Sequence, residues 1–302
     1  MSEDIFTAYR VDHEGSWWFH DGRALQDSLK AGFYMVDTDP WGQIFLRPRH
    51  RISDEIIPLP NSNADTVLNL TKKFIRGEFK DSLEAIGMVN KMSILMWGLP
   101  GTSKSVTIFQ LIDYAIENNW VIIDGAHELD ELATAIRHIR MIEPDRGVMV
   151  IWEEFDSILR RHEEDVLQLL DGKDQIPNTL YLMTTNFIDR IPSRILGRTR
   201  RVSYQVMFTY PDEAERRAYF QGKVPGELLE KVDLEAWVAA TEGYSIDNCA
   251  QVVIGVLAYG MSLEEVVTDL SLRAQLSAAD EEDEDEDFYH MPTGVDDEDD
   301  YE

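Results

Sequence analysis

Residues 94–105 read ILMWGLPGTSKS. Four apolar residues, Ile94 to Trp97, run into a Gly/Pro turn that closes on Lys104 and Ser105. Behind the turn, Ile108, Leu111, Ile112 and Ala115 recur at the spacing of one helical face. Apolar strand, tight turn, lysine, hydroxyl and helix make up the layout of a phosphate-binding loop. Gly98, Pro100, Gly101, Thr102 and Ser103 are expected to wrap the phosphates of a nucleotide, with the loop's backbone N–H groups and the positive helix end facing the anion. Lys104 would reach the β- and γ-phosphates, and the Ser105 hydroxyl would ligate Mg²⁺. The pattern asks for glycine before the lysine, and Ser103 stands there instead.

The flanking sequence repeats the alternation. Further apolar runs, WVIID (120–124), VMVIW (148–152), TLYLM (179–183) and VSYQVMF (202–208), are separated by helical patterns. One of these carries Leu129, Leu132, Ala133, Ile136 and Ile139 on a single face. Continuous apolar runs alternating with helices predict an α/β fold with a parallel sheet covered on both faces. Four segments follow. Residues 1–50 form a small aromatic-rich module in which GFYMV and QIFLR flank the turn DTDPWG as a β-hairpin. Residues 51–210 form the nucleotide-binding α/β domain. Residues 211–278 turn purely helical, with Ser262 and Glu265 spaced as a capping box. Residues 279–302 form an acidic tail expected to be disordered, because so few apolar residues cannot offset the entropy of ordering.

Composition narrows the classes. The chain has 302 residues and a formal net charge of −29. Fourteen of its 57 acidic residues fall in the last 24 positions; the other 43, set against 28 Lys and Arg, still leave −15. An acidic body argues against a sequence-independent grip on nucleic acid and against polybasic attachment to anionic membranes. The single cysteine, Cys249, excludes an internal disulfide framework. The N-terminus resembles no targeting segment, and no run approaches the roughly 18 apolar residues of a membrane span, so a cytoplasmic protein is expected.

Ligands of open α/β sheets bind outside the carboxyl ends of the strands. There, Glu153 and Glu154 leave a buried run together and suit a metal-side carboxylate and a base that orients water. Asn186 ends the neighbouring run, where its amide could hold the same water or the γ-phosphate. Arg198 and Arg201, three residues apart, could neutralise charge on a transferred phosphoryl group from a neighbouring subunit.

In this order, SILMWGLPGTSKS, VMVIWEEFDSI, LLDG, LYLMTTN, RTRR, YPDEAERRAYF and TEGYS, the chain resembles the AAA+ ATPases, and within them the AAA branch proper, over about residues 52–275. The acidic pair beginning with Glu153 is also similar to the mitochondrial AAA chaperones of complex III assembly. The resemblance implies that Lys104 and Ser105 are the Walker A lysine and hydroxyl, Glu153 and Glu154 the Walker B pair, Asn186 sensor 1, and Arg198 and Arg201 arginine fingers. It implies that Gly243, Tyr244 and Ser245 lie in a lid contacting the nucleotide. ATP and Mg²⁺ are the implied cofactors. A homo-oligomeric ring, six-membered by analogy, and an unidentified protein client are the implied partners. Ser103 and Glu153 depart from the family pattern, SIDNCAQ offers no sensor 2 arginine, and GAHELDE lacks an aromatic pore loop. The expected function is ATP hydrolysis that remodels a protein partner. Alternatives are a nucleotide-gated scaffold with weak or no turnover, or a DNA-associated, clamp-loader-like motor, which the acidic body disfavours.

Overall fold

A computed structural model describes residues 8–12, 15–20, 28–49, 55–125, 129–171 and 175–274. The acidic tail and the centre of GAHELDE lie outside these residues. The chain opens with β1 (Ala8–Val11), β2 (Trp17–His20), β3 (Gly32–Thr38) and β4 (Ile44–Pro48). Next come α1 (Ser62–Ile75), α2 (Lys80–Ala85), β5 (Lys91–Trp97), α3 (Lys104–Glu117), β6 (Val121–Asp124) and α4 (Leu129–Ile142). The sheet is completed by β7 (Val148–Trp152), α5 (Phe155–Asp171), β8 (Thr179–Thr185), α6 (Ser193–Leu196) and β9 (Tyr204–Met207). Helices α7 (Glu213–Lys223), α8 (Gly226–Leu229), α9 (Leu234–Ala240), α10 (Ile246–Val253) and α11 (263–274) follow.

Among the described residues the strands form one nine-stranded sheet in the order β1-β2-β4-β3-β6-β7-β8-β5-β9. All pairings from β3 through β6, β7, β8 and β5 to β9 are parallel. The β3–β4 hairpin and β1–β2 are antiparallel, and they continue the same sheet through the β3–β6 ladder. The aromatic N-terminus thereby joins the main core: Tyr9, Trp17, Phe19, Tyr34 and Leu46 are buried together with Leu132, Ile136 and Ile139 of α4. A polar clasp adds to this, since Glu143 accepts from Tyr9 Oη at 3.1 Å and from the Leu29 N–H at 3.0 Å. Trp41, at the hairpin turn, remains 88% exposed.

Why the central runs are apolar throughout is visible in the split of their side chains. Val148, Val150 and Trp152 of β7 enter the core on the α4–α5 face, whereas Met149 and Ile151 enter the core on the α1–α3 face. Tyr181 and Met183 of β8 split from Leu180 and Leu182 in the same way. With both faces covered, period-2 alternation produces no polar face. Helix α5 begins at Phe155 and continues across a kink at His162.

A third core lies in the C-terminal helices, around Phe220, Trp237, Ile246, Cys249 and Val266. Asn61 joins it to the sheet domain. Its carboxamide oxygen caps α1 by accepting from the N–H groups of Asn63 and Ala64, and its amide donates to Glu215 in the α7 capping box. Ser262 and Glu265 form the reciprocal box read from the sequence, with bonds of 2.8 and 3.2 Å. Cys249 is fully buried, and burial pushes its thiol pKa up to about 11, the setting of an inert thiol.

Candidate functional site

The strand order places the carboxyl ends of β5, β8 and β7 side by side. Register does the rest. Trp97 pairs with Thr185, and Trp152 pairs with Met183, so Gly98, Asn186 and Glu153 emerge from adjacent strands. Asn186 and Glu153 border a cleft of about 480 Å³. Trp152 anchors the β7 end: its ring stacks on Phe155 and Tyr181, and its Nε1 donates to Gly125 O at 2.9 Å.

Glycine is required at two loop positions. A Cβ on Gly98 would stand 2.0 Å from Phe208 O, and one on Gly101 would stand 2.7 Å from Ser245 Oγ and 3.0 Å from Asp247 Oδ2. Both glycines also have positive φ. Ser103 has φ +70° at the start of α3, the left-handed region where the family pattern has glycine. Its side chain makes no capping bond, while its carbonyl accepts from the Thr107 N–H at 3.0 Å. Ser103→Gly is expected to raise stability by roughly 0.5–1 kcal/mol, the left-handed penalty less the extra chain entropy of glycine. Thermal unfolding checks this; a clear loss of stability would mean that the Ser103 side chain supports the loop.

Lys104 is buried, and its ammonium donates to Gly98 O at 2.7 Å, Leu99 O at 2.8 Å and Thr102 Oγ1 at 3.3 Å. Burial lowers its pKa to about 8, and the field of Asp247 opposes that shift. Ser105 Oγ donates to Glu153 Oε1 at 2.9 Å. Glu154 has φ +52°, and its carbonyl starts α5 by accepting from the N–H groups of Ser157 and Ile158. A non-glycine residue in that conformation stores strain, which often marks a functional position.

The cleft therefore gathers Pro100, Gly101, Thr102, Ser103, Lys104, Ser105, Glu153, Glu154 and Asn186, with Gly98 behind them as a partner of Lys104. It does not gather Arg198 and Arg201. Both face Asp171 Oδ2, at 3.7 and 3.4 Å, and Arg201 also donates to Arg194 O at 2.7 Å. Three further charged residues line the cleft: Asp156, Arg190 and Asp247. Buried Asp156 accepts from Thr185 Oγ1 at 2.6 Å, and Thr185 in turn accepts from the Phe187 N–H at 3.0 Å. This chain of bonds fixes the backbone on either side of Asn186. The Arg190 guanidinium lies 3.7 Å from the centroid of the Phe187 ring. Its position within an arginine-rich stretch gave no sequence signal of its own.

Residues 94–210 match a protein family described as "ATPase family associated with various cellular activities (AAA)". The AAA match starts in β5 and ends just before α7, so it contains every strand end that borders the cleft. The chain is also similar to the 26S proteasome regulatory subunit 6B homolog of Encephalitozoon cuniculi, at 23% identity over 57% of this chain and 48% of the relative. The homolog of that name in Schizosaccharomyces pombe is 24% identical over 64% of this chain and 56% of its own. The vesicle-fusing ATPase of Caenorhabditis elegans is 28% identical over 44% of this chain and 19% of its own. The chain thus spans about half the length of the two proteasomal relatives and about a fifth of the third.

Proposed function

We propose that this chain binds ATP with Mg²⁺ and hydrolyses it, acting as a ring-forming AAA ATPase, expected to be six-membered, that remodels a protein partner. The observation that carries the reading is the convergence, within the AAA-matched segment, of the phosphate loop, the Ser105–Glu153 bond, Glu154 and Asn186 around one cleft. A hydroxyl and a carboxylate oxygen in contact form a hard-oxygen donor pair suited to Mg²⁺. When bound, Mg²⁺ would neutralise charge on the β- and γ-phosphate oxygens.

The chain's own groups would do the following. Lys104 exchanges its loop carbonyl partners for phosphate oxygens. Glu154 orients a water for in-line attack on the γ-phosphorus and draws its proton, while the bond from that phosphorus to the β–γ bridging oxygen breaks and ADP leaves. Asn186 holds the water or the γ-phosphate. Arg198 and Arg201 serve the cleft of a neighbouring subunit, so turnover depends on assembly. Among the described residues no helix is long and apolar enough to cross a membrane, and the formal charge of −29 disfavours a nucleic-acid client.

A second reading has one observation in its favour. Both arginines are paired with Asp171 inside their own chain, which would suit a scaffold that assembles on ATP and turns it over slowly. Phosphate release measured beside molecular mass, with and without ATP, separates the two readings. Hydrolysis accompanied by ATP-dependent assembly is expected. Assembly without phosphate release would favour the scaffold.

Proton linkage provides an independent check. With its folded pKa near 8, Lys104 holds fewer protons in the folded state than in the unfolded chain between about pH 8 and about pH 10.5. Its contribution to stability therefore rises with pH across that window. Phosphate favours the ammonium form, so nucleotide binding above pH 8 must take up a proton. Affinity should be flat below about pH 8 and fall roughly tenfold per pH unit above it. Calorimetric titrations in buffers of different ionisation enthalpy would show the uptake; affinity unchanged to about pH 9.5 would mean that binding draws no proton onto Lys104 in this range.

A further inference from the structure

The cleft read above as a phosphate site carries a negative charge that phosphate chemistry does not call for. Asp247 lies in the first turn of α10, a helix of the third core, and lines the cleft beside the phosphate loop. A backbone bond and a close approach set this turn against the loop. The Ile246 N–H donates to Gly101 O at 3.0 Å, and a Cβ built on Gly101 would stand only 3.0 Å from Asp247 Oδ2. The turn itself is fixed, since the Ser245 side chain caps α10 by accepting from the Asn248 N–H at 3.1 Å.

Position along the phosphate chain follows from Lys104. Lysine in this loop serves the β- and γ-phosphates. Asp247 Oδ2 stands against Gly101, three residues ahead of Lys104 in the same loop, and lines the cleft together with Lys104, so it belongs to the same end of the cleft. A triphosphate brings one more negative charge to that end than a diphosphate does.

We propose that Asp247 is a nucleotide-discriminating residue, whose carboxylate, seated on the loop at Gly101, opposes a terminal γ-phosphate and favours the diphosphate over the triphosphate. The inference rests on reading the cleft as a nucleotide site and assigns it a specificity determinant. In the arrangement described, Asp247 adds a negative charge beside the bound phosphates, and it penalises the γ-phosphate most. Because α10 carries the carboxylate, the penalty is relieved when the third core withdraws from the loop. Discrimination between ATP and ADP is thereby tied to the position of the C-terminal helices.

The simpler role for an acidic residue in a first helical turn is to complement the helix dipole. That role has no reason to distinguish ATP from ADP. The test is the ratio of affinities for a non-hydrolysable ATP analogue and for ADP, at fixed excess Mg²⁺, in the full chain and in Asp247→Asn. The substitution keeps the shape and removes the charge. Affinity for the triphosphate should rise roughly tenfold and that for ADP about twofold, as expected for one charge acting over several ångströms at a protein–water boundary. A second arm needs no variant: in the parent chain the triphosphate-to-diphosphate ratio should rise with salt toward that of the variant, because partly exposed charges are screened. Equal changes for both nucleotides, or an unchanged ratio that ignores salt, would overturn the proposal and return Asp247 to the helix dipole. Absence of binding by either nucleotide to either protein would instead overturn the nucleotide reading of the cleft, and the inference with it.

Discussion

Glu154→Gln is expected to keep ATP bound and lose turnover by roughly 10²–10⁴-fold, the usual contribution of a positioned acid–base group. Lys104→Ala is expected to lose binding itself. The two residues differ in what they can touch. Lys104 is buried at the base of the loop, with its ammonium among the Gly98 and Leu99 carbonyls, so its removal leaves those oxygens facing phosphate with no intervening cation. Glu154 lines the opposite wall at the end of β7, held in place by a backbone that is already committed to starting α5. Glutamine preserves that backbone and the size of the side chain, but it no longer accepts a proton. Thermal shift with ATP reads the first effect and phosphate release reads the second. A Glu154→Gln protein that hydrolysed at the parent rate would show that another group orients the water. Buried Asp156 would be the next candidate in the same cleft.

The parts of the site legible in the sequence are those whose chemistry is local. The phosphate loop is continuous, so Lys104, Ser105 and their glycines could be read from one strand–turn–helix pattern. Glu153, Glu154 and Asn186 were legible because each lies within three residues of the end of an apolar run, and in a parallel sheet all such ends face one edge. What escaped depends on contacts between distant segments. Asp247 matters only because α10 docks its first turn on Gly101, and its sequence neighbourhood shows merely the absence of an arginine. Arg190 sits in a three-residue 3₁₀ turn among other arginines, where nothing distinguishes a cleft residue from a surface one. Strands β1 and β2 are four residues each, too short for alternation to register, and are held by burial against α4 as much as by pairing. The left-handed backbone at Glu154 leaves no compositional trace, unlike one at glycine.

Arg198→Ala combined with Arg201→Ala is expected to spare ATP binding and lower turnover by roughly 10³-fold or more, the effect of removing a guanidinium that stabilises charge on the transferred phosphoryl group. Neither arginine lines the cleft of its own chain, so any contribution must come from a neighbouring subunit or from structure. The two should not behave alike. The Arg198 side chain is 63% exposed and pairs loosely with Asp171, and so it is free to reach outward. The Arg201 side chain is 12% exposed and also donates to the Arg194 carbonyl, so its loss should cost stability as well as rate. Mixing separates trans action from local support. Subunits lacking both arginines retain Glu154, and subunits carrying Glu154→Gln retain both arginines. A mixed ring places an intact arginine pair beside an intact Glu154 at some of its interfaces, and activity should reappear there although each parent is inactive. Rings shown by mass to be mixed, yet without recovered hydrolysis, would assign the arginines to holding Asp171 and the α5 terminus within their own chain. Any dependence of turnover on assembly would then need another origin.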